Sequence, residues 1–334
     1  MLSANKKILL VTGATGFVGS HFVERMLNEK EYQLRCLVRD KDNLGRLEAY
    51  RNQLQWAEGD ITDKESLKAA FSDVWGVVNL AGYREFWSHH ENHYYQINEF
   101  GAKNVFMAGL EAGVEKAVQV STPLAYGVPK EIPFNEDSPA GSHPNRYGHS
   151  KHLGDNAVWA LHQKNGLPLS VVYLAAVIGA GDDKATMEVR RAVEGNMPAL
   201  VGADTTYTYV YLGDAVEAIA QAVMREETVG ERYLIGVERA TTREYFHLIG
   251  KLAGVQIPNL NIPEAILKPV AAVMEFVSRF TGTRPLLPLD VLRTTAAGSL
   301  LFDGSKAQEA LGLDYTPLSI ALAESVEEIQ RAAA

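Results

Sequence analysis

The chain has 334 residues, 46% apolar and 22% charged, with a net charge of −9. That balance is globular rather than disordered, and the length passes the roughly 250–300 residues at which one core stops growing, so it fits two lobes. With no block of lysine or arginine, nucleic acid and anionic membrane are poor partners, because both demand a basic face; one local phosphate site remains compatible.

The first apolar run, Ile8–Thr12, is too short for the core of a secretion signal. It is followed by Thr12-Gly13-Ala14-Thr15-Gly16-Phe17-Val18-Gly19 and a helical pattern over about 16–29. The spacing G-x-x-G-x-x-G between a strand and a helix marks a dinucleotide site. Gly13 permits the tight turn, Gly16 lets backbone amides approach a pyrophosphate, and Gly19 lets the helix pack on the sheet. The helix N-terminus offers free N–H groups and the positive end of its dipole. A tight turn without ligand is the plainer reading of the same glycines.

The second strand, Gln33–Val38, holds the single cysteine, Cys36, which reads as a buried inert thiol without a disulfide partner. It runs into Arg39, where a dinucleotide site that takes NAD usually places an acid. A guanidinium suits the 2′-phosphate of NADP(H), so NADP(H) is preferred and NAD(H) stays open. The neighbouring Asp40 would reverse the preference if the register slipped by one, and Arg39 can also be a plain loop charge. After the third strand comes Asp60, which could hold the adenine amino group or cap the helix expected over 63–72.

The fourth strand, Trp75–Leu80, leads into Tyr83-Arg84-Glu85-Phe86-Trp87-Ser88-His89-His90-Glu91-Asn92-His93-Tyr94-Tyr95. Tyr83, Phe86 and Trp87 are candidates for an apolar substrate wall, or for a helix start packed on the second lobe. His89 and His93 stand four apart, but no cysteine or H-E-x-x-H frame accompanies them, so a solvated cluster is preferred to a metal site. A helical pattern follows over 91–112. The fifth strand, Ala117–Ser121, ends at Thr122, whose hydroxyl could orient a reacting oxygen; Ser121 competes.

Tyr147 and Lys151 are four apart in a helix expected over 145–165, hence on one face. A phenol titrates near 10, and a neighbouring ammonium would lower that value and fit Tyr147 for proton transfer. His143, His149 and His152 flank this pair as surface or substrate-touching residues. Strand Leu169–Tyr173 completes a βαβ alternation, which implies an α/β fold with a doubly wound parallel sheet of the Rossmann type. Residues 1–173 form the NADP(H)-binding domain, with 208–225 expected to return to it. Residues 174–334 form a smaller, mostly helical substrate lobe, with helices near 184–195, 241–253, 263–281 and 317–331. The stretch 265–280 is too short and, through Lys268, Glu275 and Arg279, too charged to span a bilayer. Its amphipathic pattern reads as a lobe-packing helix in preference to a membrane-surface one. The expected location is cytoplasmic.

These segments resemble the extended short-chain dehydrogenase/reductase family, also called the NAD-dependent epimerase/dehydratase family, over nearly the whole chain. The matching segments are Thr12–Gly19, Gly59-Asp60, Asn79–Gly82, Ile97–Gly101, Ser121–Gly127, Tyr147–Lys151, Val177–Gly181, Tyr209–Asp214 and Phe302–Lys306. The resemblance implies catalysis by Thr122, Tyr147 and Lys151; the family's hydroxyl stands four residues before the tyrosine of Tyr126-Gly127, which selects Thr122. It implies cofactor contacts from Gly13, Thr15, Gly16, Phe17, Val18, Gly19, Arg39, Asp60, Ile61, Leu80, Ala81 and Gly82, with Tyr147 and Lys151. Asn98 matches a position tied to active-site architecture and joins Tyr83, Phe86, Trp87 and Tyr207 as a substrate-side candidate. A homodimer through 91–112 and 145–165 follows by analogy.

Three departures narrow the chemistry. Pro123-Leu124 stand where sugar dehydratases carry an Asp-Glu pair. Tyr207 replaces the arginine with which nucleotide-sugar epimerases grip a diphosphate. Tyr173-Leu174 replace an Arg-Pro pair. Together with the Leu37–Asp40 turn and Arg284-Pro285, they point to the dihydroflavonol-reductase-like branch and to NADPH-dependent reduction of a ketone or aldehyde on a small apolar or aromatic molecule. The alternatives are an NAD-dependent sugar epimerase or dehydratase with retained cofactor, and a non-catalytic NADP(H)-sensing regulator, which the intact Tyr147–Lys151 pair disfavours.

Overall fold

Near-continuous apolar runs make strands that can be covered on both faces, and such strands assemble in parallel. In the computed structural model, which describes residues 6–181 and 183–333, they do so. The first residues of the expected nucleotide lobe, 1–5, lie outside the described residues, as do 182 and 334. In chain order the nucleotide half is β1 (Lys7–Thr12), α1 (Phe17–Met26), β2 (Tyr32–Val38), β3 (Gln55–Glu58), α2 (Lys64–Ala70), β4 (Val74–Asn79), α3 (Asn92–Tyr95), α4 (Ala102–Ala112), β5 (Lys116–Ser121), α5 (Arg146–Asn165) and β6 (Leu169–Leu174). Then follow β7 (Ala176–Ile178), α6 (Asp183–Val193), β8 (Leu200–Val201), β9 (Thr206–Tyr211), α7 (Leu212–Met224), β10 (Arg232–Ile235), β11 (Glu238–Thr241), α8 (Thr242–Ala253), β12 (Asn261–Ile262), α9 (Glu264–Thr281), α10 (Leu289–Ala296), α11 (Ser305–Leu311) and α12 (Leu318–Ala333).

The main sheet has seven strands in the order β10-β6-β5-β4-β1-β2-β3, all parallel. It is the doubly wound α/β fold of the Rossmann type. Leu9, Leu10 and Val11 of β1 and Val77 and Val78 of β4 are fully buried. Strand order reverses between β1 and β4, whose ends are level at Thr12 and Asn79. In such sheets the ligand crevice opens beyond the carboxyl ends of the strands at this reversal.

A second core gathers Ile178, Val189, Leu200, Tyr209, Tyr245, Ile249 and Leu322 around a three-stranded sheet β11-β9-β7. The segment expected to return to the first lobe divides: β9 pairs in this smaller sheet, while α7 packs on α1 and buries Ala215, Ala218, Ile219 and Ala222. The structure corrects the expected division in two further places. Strand β10 is the edge of the main sheet, parallel to β6, although its sequence lay in the expected second lobe. Phe302, Ala307 and Leu311 also belong to the main core. Both segments are too short to announce their destination by periodicity.

The expected helix over 91–112 forms, but it is interrupted by a π-helical turn, Gln96–Gly101, between α3 and α4. Over 263–281, helix α9 packs on α10 with Ala271 and Ser278 buried, and its other face exposes Ile266, Val270, Val273, Phe276, Val277 and Phe280.

Candidate active site

The glycine turn is built by backbone meeting backbone. Gly13 has φ +66°, and a Cβ there would lie 2.5 Å from the Ala81 nitrogen and 2.6 Å from the Leu80 carbonyl carbon. A Cβ on Gly19 would lie 2.1 Å from the Gly13 oxygen. The glycine therefore lets α1 close on the preceding turn, rather than on the sheet as expected. Gly16 is the N-cap of α1, contributes no side chain, and no acid occupies the first turn. The helix thus presents its free amides and positive end at the crevice, with Thr15, Phe17 and Val18 around it, and the fit to a dinucleotide diphosphate is direct. Leu80, Ala81 and Gly82 form the facing wall: Leu80 N donates to Thr12 O at 3.1 Å and Ala81 N to Thr12 Oγ1 at 3.3 Å.

Arg39 is exposed just beyond β2 and has no ion pair among the described residues, whereas Asp40 Oδ1 accepts the amide of Asp42 at 2.8 Å. Asp60 accepts from Thr62 N at 2.8 Å and Thr62 Oγ1 at 2.7 Å; the cap of α2 is Asp63, whose side chain accepts from Glu65 N. The capping alternative for Asp60 is therefore corrected. Ile61 beside it is buried.

At the end of β5 successive side chains point to opposite faces. Ser121 points inward and donates to Asp155 Oδ2 at 2.5 Å. Thr122 points the other way, its Oγ1 accepting the Leu124 amide at 3.4 Å, and it lies close enough to Tyr147 to favour ionisation of that phenol. Asn145 caps α5 through Gly148 N at 2.6 Å and is held by α10, its Nδ2 donating to Thr294 Oγ1 at 2.8 Å. One turn past Tyr147, Lys151 is buried and donates to Val120 O at 2.9 Å. The ammonium expected to act directly on the phenol is thus held by the strand, and it faces Asp155. Burial pushes the Tyr147 hydroxyl up to about 12; the Arg84 guanidinium and the nearby Thr122 hydroxyl oppose this, while Asp155 adds to it. Burial also lowers Lys151 below the usual ammonium range, against the pull of Asp155.

Asp155 and Arg84 carried no sequence signal for this role. Asp155 lies one turn beyond Lys151 and ends a buried polar chain across the sheet: Thr12 Oγ1 to Asn79 Oδ1 at 2.5 Å, Asn79 Nδ2 to Gln119 Oε1 at 2.8 Å, and Gln119 Nε2 to Asp155 Oδ1 at 3.3 Å. Polar residues at the crevice end of otherwise apolar strands were the available clue.

The substrate-side candidates separate. Phe86 stands edge-on to Tyr147 with ring centroids 6.3 Å apart, and with Trp87 it lines a cavity of about 420 Å³. Its walls include Tyr94, Glu91, Arg146, and Glu275 and Arg279 of α9. Tyr83 packs instead on Tyr94 and His93. Asn98 is buried on the π-helical turn with every polar atom used: Oδ1 accepts Tyr83 N at 2.8 Å, and Nδ2 donates to Tyr83 O at 3.0 Å and Ser150 Oγ at 2.9 Å. The placement of Asn98 on the substrate side is corrected accordingly; it ties the Tyr83 segment to α5. Tyr207 is set in the second lobe beside Thr295 and lines no part of this cavity. His143 and His152 both approach Ala125 O, at 2.9 and 3.0 Å, and His149 meets Tyr95 OH at 3.1 Å.

Residues 9–236 match the model of the NAD dependent epimerase/dehydratase family. The chain belongs to this family. Its enzymes are NAD(P)-dependent and of the extended short-chain dehydrogenase/reductase type, and so is this one. It is 28% identical over 332 residues to a Synechocystis protein provisionally assigned as a dihydroflavonol 4-reductase, covering 96% of this chain and 94% of that one. It is 26% identical over 325 residues to sterol demethylase protein B of Methylococcus capsulatus, covering 95% and 96%. The crystal structure of gox2253 superposes with a TM-score of 0.82 at 30% identity, covering 98% of this chain and 99% of that one. Among the described residues no helix is long and apolar enough to cross a membrane.

Proposed function

We propose that this family member reduces a ketone or aldehyde on a small, mostly apolar or aromatic molecule, with NADPH as the preferred cofactor. The observation that carries the reading is the Tyr147 hydroxyl, set beside Thr122 and faced by the Phe86 ring next to a cavity in which Phe86, Trp87 and Tyr94 stand among Glu91, Arg146, Glu275 and Arg279. Thr122 would hold the substrate oxygen and Tyr147 would give it a proton. A hydroxyl that titrates near 12 keeps that proton at neutral pH. Lys151, fixed by Val120 O, would hold the ribose of the nicotinamide half. When bound, the nicotinamide supplies the hydride. Pro123 and Leu124 give the site no acid–base pair of the dehydratase kind. Two relatives named for a flavonoid-type reductase and a sterol enzyme support apolar substrates.

The cofactor preference rests on Arg39, exposed and without an ion pair among the described residues, beside an Asp40 already engaged in its own turn. One observation favours epimerisation of a sugar nucleotide: Arg146 and Arg279 on the cavity wall could meet a diphosphate. Both approach Glu91, at 2.9 and 3.7 Å, which offsets their charge. The test is a fluorescence titration with NADPH and NADH, on the native chain and on Arg39→Asp, followed by a carbonyl screen. Tighter NADPH binding, reversed in the variant, with net NADPH consumption supports the reading. Preference for NADH, or turnover without net cofactor consumption, replaces it with the epimerase.

A further inference from the structure

The face of α5 that meets the sheet is not an apolar seam. Its buried residues are Gly148, Ser150, Lys151, Gly154, Asp155 and Val158. Glycine brings the helix close to its neighbour: a Cβ on Gly154 would lie 2.1 Å from the Asn98 oxygen. Lys151 and Asp155, four apart, therefore share one face a turn from each other, at 5% and 6% exposure. Tyr147 stands one turn before them on the same line.

Burying a carboxylate costs free energy unless donors and cations surround it. Asp155 has both. Ser121 Oγ donates to its Oδ2 at 2.5 Å and Gln119 Nε2 to its Oδ1 at 3.3 Å. Gln119 Oε1 is itself occupied by Asn79, and Asn79 Oδ1 by Thr12. Thr12 Oγ1 in turn accepts Ala81 N, so the donors run in one direction, from the cofactor wall to Asp155. Both side-chain partners of Asp155 give it a proton to accept and neither takes one, which is the pattern of an ionised carboxylate. Two cations face it: Lys151 on α5, and Arg232 on β10, whose guanidinium lies 3.9 Å from the Trp159 ring. Tyr147, Tyr126 and Tyr173 face it as well, and its charge adds to the burial that pushes their phenols up. Lys151 donates to Val120 O, and Asp155 is the acid that faces it. Burial lowers Lys151 and raises Asp155, and each charge opposes the shift in the other.

We propose that Asp155 is a positioning residue: it keeps Lys151 a charged ammonium at Val120 O, while the bonds from Ser121 and Gln119 hold Asp155 itself ionised and in place. The polar chain across the sheet then does more than join strands, because it sets the charge beside the cofactor wall. This rests on the placement of Lys151 at the nicotinamide ribose only for its consequence in binding; the charge on Lys151 is readable without cofactor.

The experiment is an NMR titration of the Lys151 side-chain nitrogen in the full chain labelled with nitrogen-15 lysine, the signal being assigned by its loss in Lys151→Met. NADPH binding is followed by fluorescence over the same pH range. Asp155→Asn removes the charge and keeps an oxygen for Ser121 or Gln119. It is expected to lower the pH at which Lys151 gives up its proton by about one to three units, the effect of an opposite charge at close range. Between about pH 7 and 9, NADPH affinity should fall about fivefold further in the variant than in the wild type, as charge-assisted bonds become neutral ones. An unchanged Lys151 titration overturns the proposal, and an NADPH loss equal at every pH beside it assigns Asp155 to the fold alone. A shifted titration with NADPH binding that follows pH as in the wild type upholds the role of Asp155 and refutes the placement of Lys151 at the ribose. Should Asp155→Asn fail to fold, the wild type decides. With carbon-13 at the aspartate carboxyls, and the Asp155 signal identified by its shift in Ser121→Ala, Asp155 should be ionised and Lys151 protonated together at neutral pH. A protonated Asp155 there overturns the proposal.

Discussion

Replacing Gly19 by alanine tests the nucleotide site most sharply, because what the new methyl meets is backbone. Its Cβ would stand 2.1 Å from the Gly13 oxygen, about 1.3 Å inside the 3.4 Å of an ordinary contact. That oxygen already accepts the Gly16 amide at 3.0 Å, so it cannot retreat without opening the turn. Overpacking of this kind costs about 1–3 kcal/mol, which for a chain of this size lowers the melting temperature by roughly 2–10 °C. The larger effect falls on binding. Relief requires α1 to back away by about an ångström, which takes the Phe17 and Val18 amides off the diphosphate. Charge-assisted hydrogen bonds contribute about 1.5–3 kcal/mol each, so losing one weakens cofactor binding roughly 10- to 100-fold. Gly16→Ala is the control for the melting arm alone, since its Cβ meets the same oxygen at 3.2 Å and needs a shift of only a few tenths of an ångström within the protein. The assay is cofactor titration by fluorescence with thermal melting alongside. Should Gly19→Ala bind NADPH and NADH as the wild type does, this account of the glycine turn is refuted.

Asn98→Ala should cost about 2–4 kcal/mol, since it leaves the Tyr83 amide and carbonyl without a partner, while the Ser150 hydroxyl keeps its bond to Tyr147 O; denaturant unfolding measures it, and Asn98→Asp should restore the bond to Tyr83 N but not the one to Tyr83 O. With the Tyr147 hydroxyl pushed up to about 12, carbonyl reduction should show no basic limb from that group between about pH 6 and 9. The reverse oxidation, which needs the deprotonated form, should accelerate with pH over the same range, and a basic limb near neutrality in reduction would contradict this. The Cys36 thiol, fully buried and pushed up to about 12, should resist a thiol reagent in the native protein and react fully on unfolding; mass spectrometry after labelling reads either outcome.

The nucleotide half was legible because its determinants are local. Strand runs such as Ile8–Thr12 and Ala117–Ser121 fall within a residue of the observed strands, since a strand buried on both faces has little choice of composition. The choice between Ser121 and Thr122 follows from strand parity: the inward neighbour is consumed by Asp155, and the next residue faces Tyr147. Other features were not legible. The π-helical turn at Gln96–Gly101 has the same apolar period as a helix, and only the tertiary bonds of Asn98 explain its position. Strand β10 has four residues, too few for a pattern to say which sheet it joins. Helix α9 displayed its amphipathic period openly, but a period states only that one face is apolar, not whether protein covers it.

The two sides of the crevice differ in kind, and this explains why use of a dinucleotide is better determined than the substrate. On the cofactor side the contacts come from turns a few residues long, and glycine is required because Cβ atoms at Gly13 and Gly19 would strike main chain. Sequence therefore reports them directly. On the substrate side, Phe86 and Trp87 come from the segment after β4, Arg146 from the start of α5, and Glu275 and Arg279 from α9. These positions converge from nearly two hundred residues apart, and each can change size or charge without disturbing a strand or a turn. Arg146 shows the consequence: its guanidinium is shared between Glu91 at 2.9 Å and the buried Asp290 at 3.7 Å. Whether the cavity presents charge to a ligand is thus set by acids on two other segments as much as by the arginine itself.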